Sequence, residues 1–519
     1  MPITTHKFNA EVISRLHKIE FGKDWPVVYI LEDGAQMYVG ETMSAANRFR
    51  QHIDNPERKK LKHAHLIADE EFNKSATLDI ESQLIQYMAA DQHFILQNGN
   101  NGLANYSYYD REKYQAKFEV IWQELQKMGL ANKDLIQIRN SDVFKYSPYK
   151  ALTDEQIDIV NKIKTSLING ENKTHIVKGE PGTGKSVLAT YLCKYLSLFT
   201  ETKDLEVALV VPQAGLRKTL KKVFAKIKGL NASMVIGPGE VVGKHYDLLI
   251  VDEAHRLRRR VNLSAYGPFD KANQHYSLGN EGTQLDWIML ASSSQVLLYD
   301  ANQSVVPGDI RSDRLSNLNA TEYRLTSQLR VLAGNDYIAF INNLLSLMEQ
   351  DRPDFGNYDL RYFTDISEMV HLITKLDKVY GLSRLVAGYA WTWETKKGGD
   401  YDIELDGLKL KWNSTNIDWV NSKNAINEVG CIHTVQGYDL NYVGVIIGPE
   451  VSYDPMKHKL IIHKDKYMDI NGKRTLESPE ELEKYIINIY KTLLTRGIRG
   501  TYVHAVDKEL QDYLLDRIS

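Results

Sequence analysis

A glycine-rich turn between an apolar strand and a helix constrains this chain more than any other feature in it. The run THIVKGEPGTGKSVLAT at 174–190 fits the spacing G-x-x-x-x-G-K-[ST] through Gly179, Gly184, Lys185 and Ser186, with Gly182 and Thr183 inside the turn. Glycines let backbone N–H groups close around a phosphate, and the helix that follows presents its positive N-terminal end there. At this spacing Lys185 reaches the outer phosphates and the Ser186 hydroxyl is set to ligate Mg2+. The stretch predicts a nucleoside-triphosphate cradle on an α/β scaffold.

A second apolar strand, YDLLIVDEAHR at 246–256, ends in Asp252 and Glu253. Acids at the C-terminal end of a strand sit where a phosphate loop in the same parallel sheet needs them. Asp252 is then the Mg2+ partner and Glu253 the residue that polarises the attacking water. Between the two motifs, LEVALVVPQAGLRKTLKKVF reads as a buried strand, a loop and a basic helix. That helix is either a contact for a nucleic-acid backbone or a solvated lysine face. Upstream, LTDEQIDIVNKI at 152–163 begins a helix with Thr153 as cap and Gln156 just inside. A glutamine amide has the donor and acceptor needed to pair with an adenine edge.

Length and composition set the frame. The 519 residues suggest roughly three domains, and 43% hydrophobic with 25% charged residues is ordinary for globular protein. Two cysteines, Cys193 and Cys431, exclude a disulfide framework and a four-cysteine zinc site, which fits a reducing, cytoplasmic setting. No apolar run approaches a membrane span, so no membrane partner is expected. A net charge of −3 means that any nucleic-acid surface is local.

The N-terminal hundred residues carry a second constellation. PVVYILEDGAQMYVG at 26–40 predicts two strands around the turn Glu32-Asp33-Gly34, and SAANRFRQHI at 44–53 a helix capped by Ser44. A further helix over 77–90 puts Glu81 on the same face as Leu78, Leu84, Ile85 and Met88. A carboxylate on an apolar face needs a metal or a cationic partner, an ion pair with an arginine being the plainer choice. A helix over about 110–128 and a turn-rich boundary at 141–151 follow.

Two resemblances gather these features. VVY at 27–29, YVG at 38–40, NRFRQH at 47–52 and the helical glutamate resemble the GIY-YIG nuclease module, although Val27 and Val28 replace its usual Gly-Ile. The resemblance makes Tyr29 and Tyr38 the motif tyrosines, with Gly40 the motif glycine. It makes Arg48 and His52 catalytic residues and Glu81 the ligand of Mg2+ or Mn2+. Asn98, Asn100 and Asn101 all compete to be its closing asparagine. The rest resembles superfamily 1 helicases. There Gln156 matches the adenine-reading Q motif, and QVLLYDANQSV, ending in Asp300 and Gln303, matches the third motif, whose glutamine senses the γ-phosphate. RLTSQLR makes Arg330 an arginine finger. CIHTVQGYDLNYVGVIIG matches the fifth motif through His433, Thr434, Gln436, Gly437 and Asp439, and YKTLLTRGIRGTYVHAVD makes Arg496 the second finger. The cast of these motifs resembles the Schlafen-type branch.

Together they imply a small GIY-YIG α/β nuclease domain at 1–105, a helical linker at 106–150, and two RecA-like parallel-sheet domains at 151–335 and 336–519. The implied function is an ATP-dependent helicase or translocase with a fused metal-dependent endonuclease, resembling bacterial nuclease–helicase fusions that act on foreign DNA. DNA is the favoured partner and RNA the alternative. Rival readings are an ATP-driven switch that does not unwind, and a front domain that only binds. A predicted hairpin over 393–414, with Trp391, Trp393, Trp412 and Trp419 as base platforms or core, and a basic insertion at 453–476 complete the expectations.

Overall fold

The computed structural model describes residues 3–16, 21–99, 108–300, 303–476 and 478–519. The chain forms two compact units: Met1–Ile168 with Val187–Asp204 and Leu220–Met234, and Asn169–Ser186 with Leu205–Thr219 and Val235–Ser519.

In the first unit, β1 (Ile3–Lys7), α1 (Ala10–Leu16), β2 (Val27–Glu32), β3 (Gln36–Thr42), α2 (Ala45–Ile53), β4 (His63–Ile67), α3 (Lys74–Asp91) and β5 (Ile95–Leu96) follow in order. The sheet order is β1-β4-β2-β3-β5, antiparallel except for the β3–β5 pair. The β2–β3 hairpin is the one the sequence predicts. Asp33 Oδ1 accepts from the Ala35 and Gln36 N–H groups, and Gly34 takes a φ of 89° that a β-carbon would resist. Ser44 is the N-cap residue of α2, as expected, but its side chain makes no cap bond; its N–H goes to Thr42 Oγ1. Helix α3 begins three residues before the predicted start, because Asn73 accepts the Ala76 N–H and caps it there.

The stretch expected as a linker folds into α4 (Arg111–Lys127), α5 (Leu135–Asn140) and α6 (Asp142–Lys145). These pack on α3: Tyr87 makes ring contacts with Phe118, Trp122 and Phe144. Burying that much aromatic surface makes the segment part of the unit's core. Helix α7 (Asp154–Ile168) closes the contiguous part of the unit.

Two parallel sheets dominate the second unit. The segment that carries the first runs through β6 (Thr174–Gly179), α8 (Lys185–Leu196), β7 (Val207–Val210), α9 (Ala214–Phe224), β8 (Val235–Ile236), β9 (Tyr246–Val251), α10 (Gly267–His275), α11 (Gln284–Leu290), β10 (Ser292–Tyr299), α12 (Ser312–Ser316) and β11 (Ala320–Leu325), with α8 from Val187 and α9 from Leu220 counted in the first unit. Its order is β11-β6-β10-β9-β7-β8, parallel throughout. Near-continuous apolar strands such as YDLLIV and SQVLLY are what a sheet covered on both faces requires.

The segment that carries the second runs through α13 (Gly334–Leu345), β12 (Asp359–Tyr362), α14 (Ile366–Tyr380), β13 (Ser383–Ala387), β14 (Ile403–Leu405), β15 (Leu408–Trp412), β16 (Glu428–Gly430), α15 (Ile432–Val435), β17 (Leu440–Ile447), β18 (Val451–Asp454), β19 (Lys459–Ile462), α16 (Ile470–Lys473), α17 (Pro479–Leu494), β20 (Gly497–Ala505) and α18 (Lys508–Ile518), β18 and β19 pairing only with each other. Its order is β12-β20-β17-β13-β16-β15-β14, and only the β14–β15 hairpin runs antiparallel. That hairpin matches the one predicted over 393–414, but its tryptophans are core. Trp412 is buried among Tyr389, Trp391 and Trp393, and Trp419 donates to Glu428 from a fully buried position. Rings so enclosed cannot stack on bases, which corrects that option for Trp412 and Trp419. The basic insertion forms the β18–β19 hairpin and α16. Among the described residues no helix is long and apolar enough to cross a membrane.

Candidate nucleotide site and front-unit constellation

Strand order places the nucleotide residues. In the first sheet of the second unit β10 lies between β6 and β9, so the ends of these strands deliver the phosphate loop, Asp300 and Asp252 to one rim. The loop is held open by glycine backbone. Gly182 and Gly184 have φ of 87° and 80°, and a β-carbon on Gly179 would come within 2.5 Å of Thr183 Oγ1. Lys185 folds back, donating from Nζ to the Gly179 and Glu180 carbonyls at 2.6 and 2.9 Å, with Asp300 Oδ2 at 3.8 Å.

Asp252 is wholly buried beside the Ser186 hydroxyl, to which it is hydrogen-bonded. Its Oδ1 accepts the Glu253 N–H, while Oδ2 is buried with no hydrogen-bond partner. Burial, then the adjacent Glu253, pushes its carboxyl up to about 6. Against the effect of burial, His255, 2.9 Å from Glu253 Oε2, holds the Glu253 carboxyl below the usual range. Glu253 also sits in the left-handed region at φ 53°, a strain of about 1–3 kcal/mol.

Two of the later candidate residues, Gln303 and Gln436, reach this rim through side chains. Gln303 donates to Asp300 Oδ2 at 2.8 Å, and Gln436 reaches Gln303 at 3.4 Å. Gln213 donates to the Gln436 carbonyl, and Gly437 turns at φ 91° beside it. Arg330 pairs with Asp439 at 2.5 Å. Arg496 is fully buried, with one guanidinium nitrogen on the Tyr438 carbonyl. Gln156, in the first unit, forms a capping pair with Thr153: its Oε1 accepts the Thr153 N–H and its N–H goes to Thr153 Oγ1. The fifth-motif residues behave differently from one another, with Thr434 buried as the bond partner of Cys431 and His433 exposed beside Asp469.

Sequence reasoning missed three residues that contact the loop. Gln328 donates to the Pro181 carbonyl and lies so close to Gly182 that a β-carbon there would meet its amide oxygen at 1.9 Å. The neighbouring Leu329 N–H bonds the Gly182 carbonyl. Lys491 pairs with Glu180 at 3.3 Å. A lysine inside the apolar run IINIYKTLL is the signal that could have revealed that contact.

In the first unit the front residues converge on one side of the β2–β3 hairpin. The Tyr29 hydroxyl and His52 Nε2 are 2.6 Å apart, and Arg48 Nε donates to the same hydroxyl at 3.3 Å. Tyr29 faces Gly40 in register, and a β-carbon on Gly40 would lie 2.2 Å from the Tyr29 hydroxyl. Only glycine fits there, which explains the YVG tripeptide. The Tyr38 ring contacts both Tyr29 and His52, and the Arg58 guanidinium lies 3.9 Å over it. Burial, with Arg58 and Arg48 adding to it, drops His52 to about 3 and keeps it neutral, while burial raises the Tyr29 phenol. Burial and then the Glu41 carboxylate push Glu81 up to about 7, against Lys74 and Arg48. Arg58, Glu41 and Lys74 are the members that the sequence did not single out. Asn98 is buried and grips the Val39 N–H and C=O, bracing the YVG strand; Asn100 and Asn101 lie outside the described residues.

Residues 172–507 match the family described as Schlafen group 3, DNA/RNA helicase domain. The uncharacterized protein YPL245W of Saccharomyces cerevisiae is 28% identical over 391 residues, covering 66% of this chain and 83% of the yeast protein. Among solved structures, arterivirus nonstructural protein 10 (helicase) aligns at 14% identity and TM-score 0.32 over 68% of this chain, which spans only 64% of the viral protein. The Pif1 helicase from Bacteroides in complex with ADP-AlF3 and ssDNA aligns at 14% identity and TM-score 0.30, over 69% of this chain and 94% of its own. With well over half of its length matched, the chain belongs to the Schlafen group 3 family and carries that family's DNA/RNA helicase domain at 172–507.

Proposed function

We propose that the chain is an ATP-driven nucleic-acid motor, a helicase or translocase, whose front unit is a metal-dependent endonuclease of GIY-YIG type. The observation that carries the motor reading is the rim shared by Lys185, Ser186, Asp252 and Asp300. An orphaned buried carboxylate oxygen beside a serine hydroxyl fits a divalent cation, so Ser186 and Asp252 would hold Mg2+, which when bound offsets phosphate charge. Lys185 would exchange its loop carbonyls for the outer phosphates, and Glu253 would orient the attacking water. Arg330 and Arg496 are read as the residues that stabilise transition-state charge, Gln303 as the γ-phosphate sensor, Gly437 and Asp439 as its neighbours in the fifth motif, and Gln156 as the adenine reader.

For the front unit, the convergence of Tyr29, Tyr38, Arg48, His52 and Glu81 supports the nuclease reading. Glu81 lies beside the Glu41 carboxylate, which Lys74 Nζ holds at 2.5 Å, so Glu81 is the carboxylate of the pair left to meet a cation. Among the described residues no group of three or more His, Cys, Asp or Glu side chains forms a metal cage, so Glu81 would hold Mg2+ or Mn2+ with help from substrate oxygens. Arg48 would stabilise charge on the scissile phosphate, and a cation on Glu81 would supply positive charge for the leaving oxygen. DNA is the proposed substrate, foreign DNA being the class that the nuclease–helicase resemblance suggests. The test is an ATPase, unwinding and cleavage assay on single- and double-stranded DNA and RNA, with and without Mg2+ or Mn2+. ATPase stimulation without strand displacement would recast the motor as a switch, and metal-independent binding without cutting would reduce the front unit to a binding module.

A further inference from the structure

The phosphate loop contains a side chain that the nucleotide reading leaves unused. Glu180 directly follows Gly179, and its carboxylate receives Lys491 Nζ at 3.3 Å. Lys491 lies in the last turn of α17, its side chain only 10% exposed, whereas the Glu180 side chain is 44% exposed. Burying an ammonium in an apolar helix is costly, so its position calls for an anion that repays it. A half-exposed carboxylate does so only weakly, because solvent screens the pair.

Glu180 lies at the end of the loop that Lys185 serves. The Glu180 carbonyl accepts Lys185 Nζ at 2.9 Å while the Glu180 carboxylate holds Lys491, so two ammonium groups from opposite ends of the helicase domain converge on one loop residue. The motif assigns Lys185 to the outer phosphates. A cation held at the same residue is therefore placed for the outermost phosphate. Gln328 and Leu329, bonded to Pro181 and Gly182, bring a further segment against the same loop.

We propose that Lys491 is a nucleotide-contacting residue and that Glu180 is its internal stand-in anion, exchanged for the terminal phosphate when a nucleoside triphosphate fills the loop. The exchange gives the second parallel sheet's helix α17 a contact that a triphosphate supplies and a diphosphate lacks. The site thereby gains a means of distinguishing ATP from ADP through differential affinity for two arrangements of one unit. This inference rests on the ATPase reading above.

The test uses the full chain, with fluorescent ATP and ADP analogues for affinity and steady-state ATP hydrolysis for kcat and KM. Lys491→Met is expected to lower kcat by about 10²-fold, the scale of one transition-state donor, and to erase the preference for ATP over ADP. Lys491→Arg keeps a cation and is expected to retain most of both. Glu180→Gln is expected to tighten ATP binding by roughly fivefold, because the competing anion is gone, and to leave ADP binding unchanged. A wild-type chain that binds no ATP would overturn the nucleotide reading and this inference together. A wild type that binds and hydrolyses ATP, with Lys491→Met keeping its kcat and its ATP-to-ADP ratio, would overturn this inference alone. Should Lys491→Met fold poorly, Glu180→Gln decides: unchanged or weakened ATP affinity marks the pair as merely structural.

Discussion

The two candidate sites are assembled in opposite ways. The front constellation draws on residues 29 to 81, and its members touch because a hairpin and two helices that follow one another in sequence pack together. The nucleotide site draws on residues 179 to 491, and its side chains meet only because parallel strands from distant segments end at one rim or because later segments fold back over it. In the first, a glycine contact fixes the geometry: Gly40 lets the Tyr29 hydroxyl reach His52 and Arg48. In the second, exchangeable bonds do so, since Lys185, Arg330 and Lys491 all rest on protein acceptors that a nucleotide could replace. A site locked by packing is suited to holding a scissile bond, and a site of exchangeable bonds to cycling.

The largest effect should separate the two chemically. Lys185→Ala is expected to abolish tight ATP binding, and Glu253→Gln to keep binding while lowering turnover by about 10²–10⁴-fold, the range for a positioned general base. Both should leave cleavage at its nucleotide-free rate; a parallel loss of cleavage without ATP would break the separation, and a normal Glu253→Gln hydrolysis rate would remove the water-positioning role.

Next in size, Arg48→Ala and Glu81→Ala should each cost about 10²–10³-fold in cleavage with ATP hydrolysis nearly intact. Isothermal titration with Mn2+ sharpens the assignment, because only Glu81→Ala should lose the cation. An unchanged metal response with a lowered melting temperature would mark Glu81 as structural.

Gly40→Ala tests the packing lock itself. A β-carbon 2.2 Å from the Tyr29 hydroxyl forces a shift, so about 1–3 kcal/mol of stability should be lost in the first unit. The same change at Gly34, where nothing lies within 4 Å of the added carbon, carries only the cost of its positive φ. Equal melting and cleavage losses for the two variants would refute the lock.

The smallest effect concerns Glu450, which is fully buried and accepts the Tyr490 hydroxyl at 2.5 Å with its other oxygen unbonded. Burial raises its carboxyl to about 7. The folded chain therefore keeps a proton that the unfolded chain gives up near 4.5. The stability this contributes is complete below the unfolded pKa and is lost as pH rises through about 7, up to roughly 3 kcal/mol. Denaturant melts between pH 5 and 8 should show that slope in the wild type and not in Glu450→Gln. Identical slopes would mean that Glu450 is ionised in the fold.

Much of this was legible in advance where chemistry is local. The phosphate-loop spacing, the apolar strand ending in Asp252 and Glu253, and the strand–turn–strand over 26–40 each lie on short segments whose residue types fix the backbone. Less legible was the fate of residues whose partners are remote. Ser44 stands at the N-cap as expected, but its side chain makes no cap bond; Trp412 and Trp419 read as base platforms or core, and burial decided for core. The segment 106–150 read as a helical linker, and its helix is there, but sequence could not say that Tyr87 of α3 is the ring its Phe118 and Trp122 meet.

By itself, then, the sequence determined the strand–loop–helix cradle, the acidic strand, the β2–β3 hairpin and the family, since glycine φ angles, apolar runs and motif spacing act over a few residues. Only the tertiary structure decided that Lys491 meets Glu180, that Gln328 covers Gly182, and that Asp439 rather than solvent holds Arg330. Those pairings depend on the order in which parallel strands lie side by side and on where α17 returns to the loop. A side chain's type records that it needs a partner of opposite charge, and not which of many distant ones the closing of the fold will bring within reach.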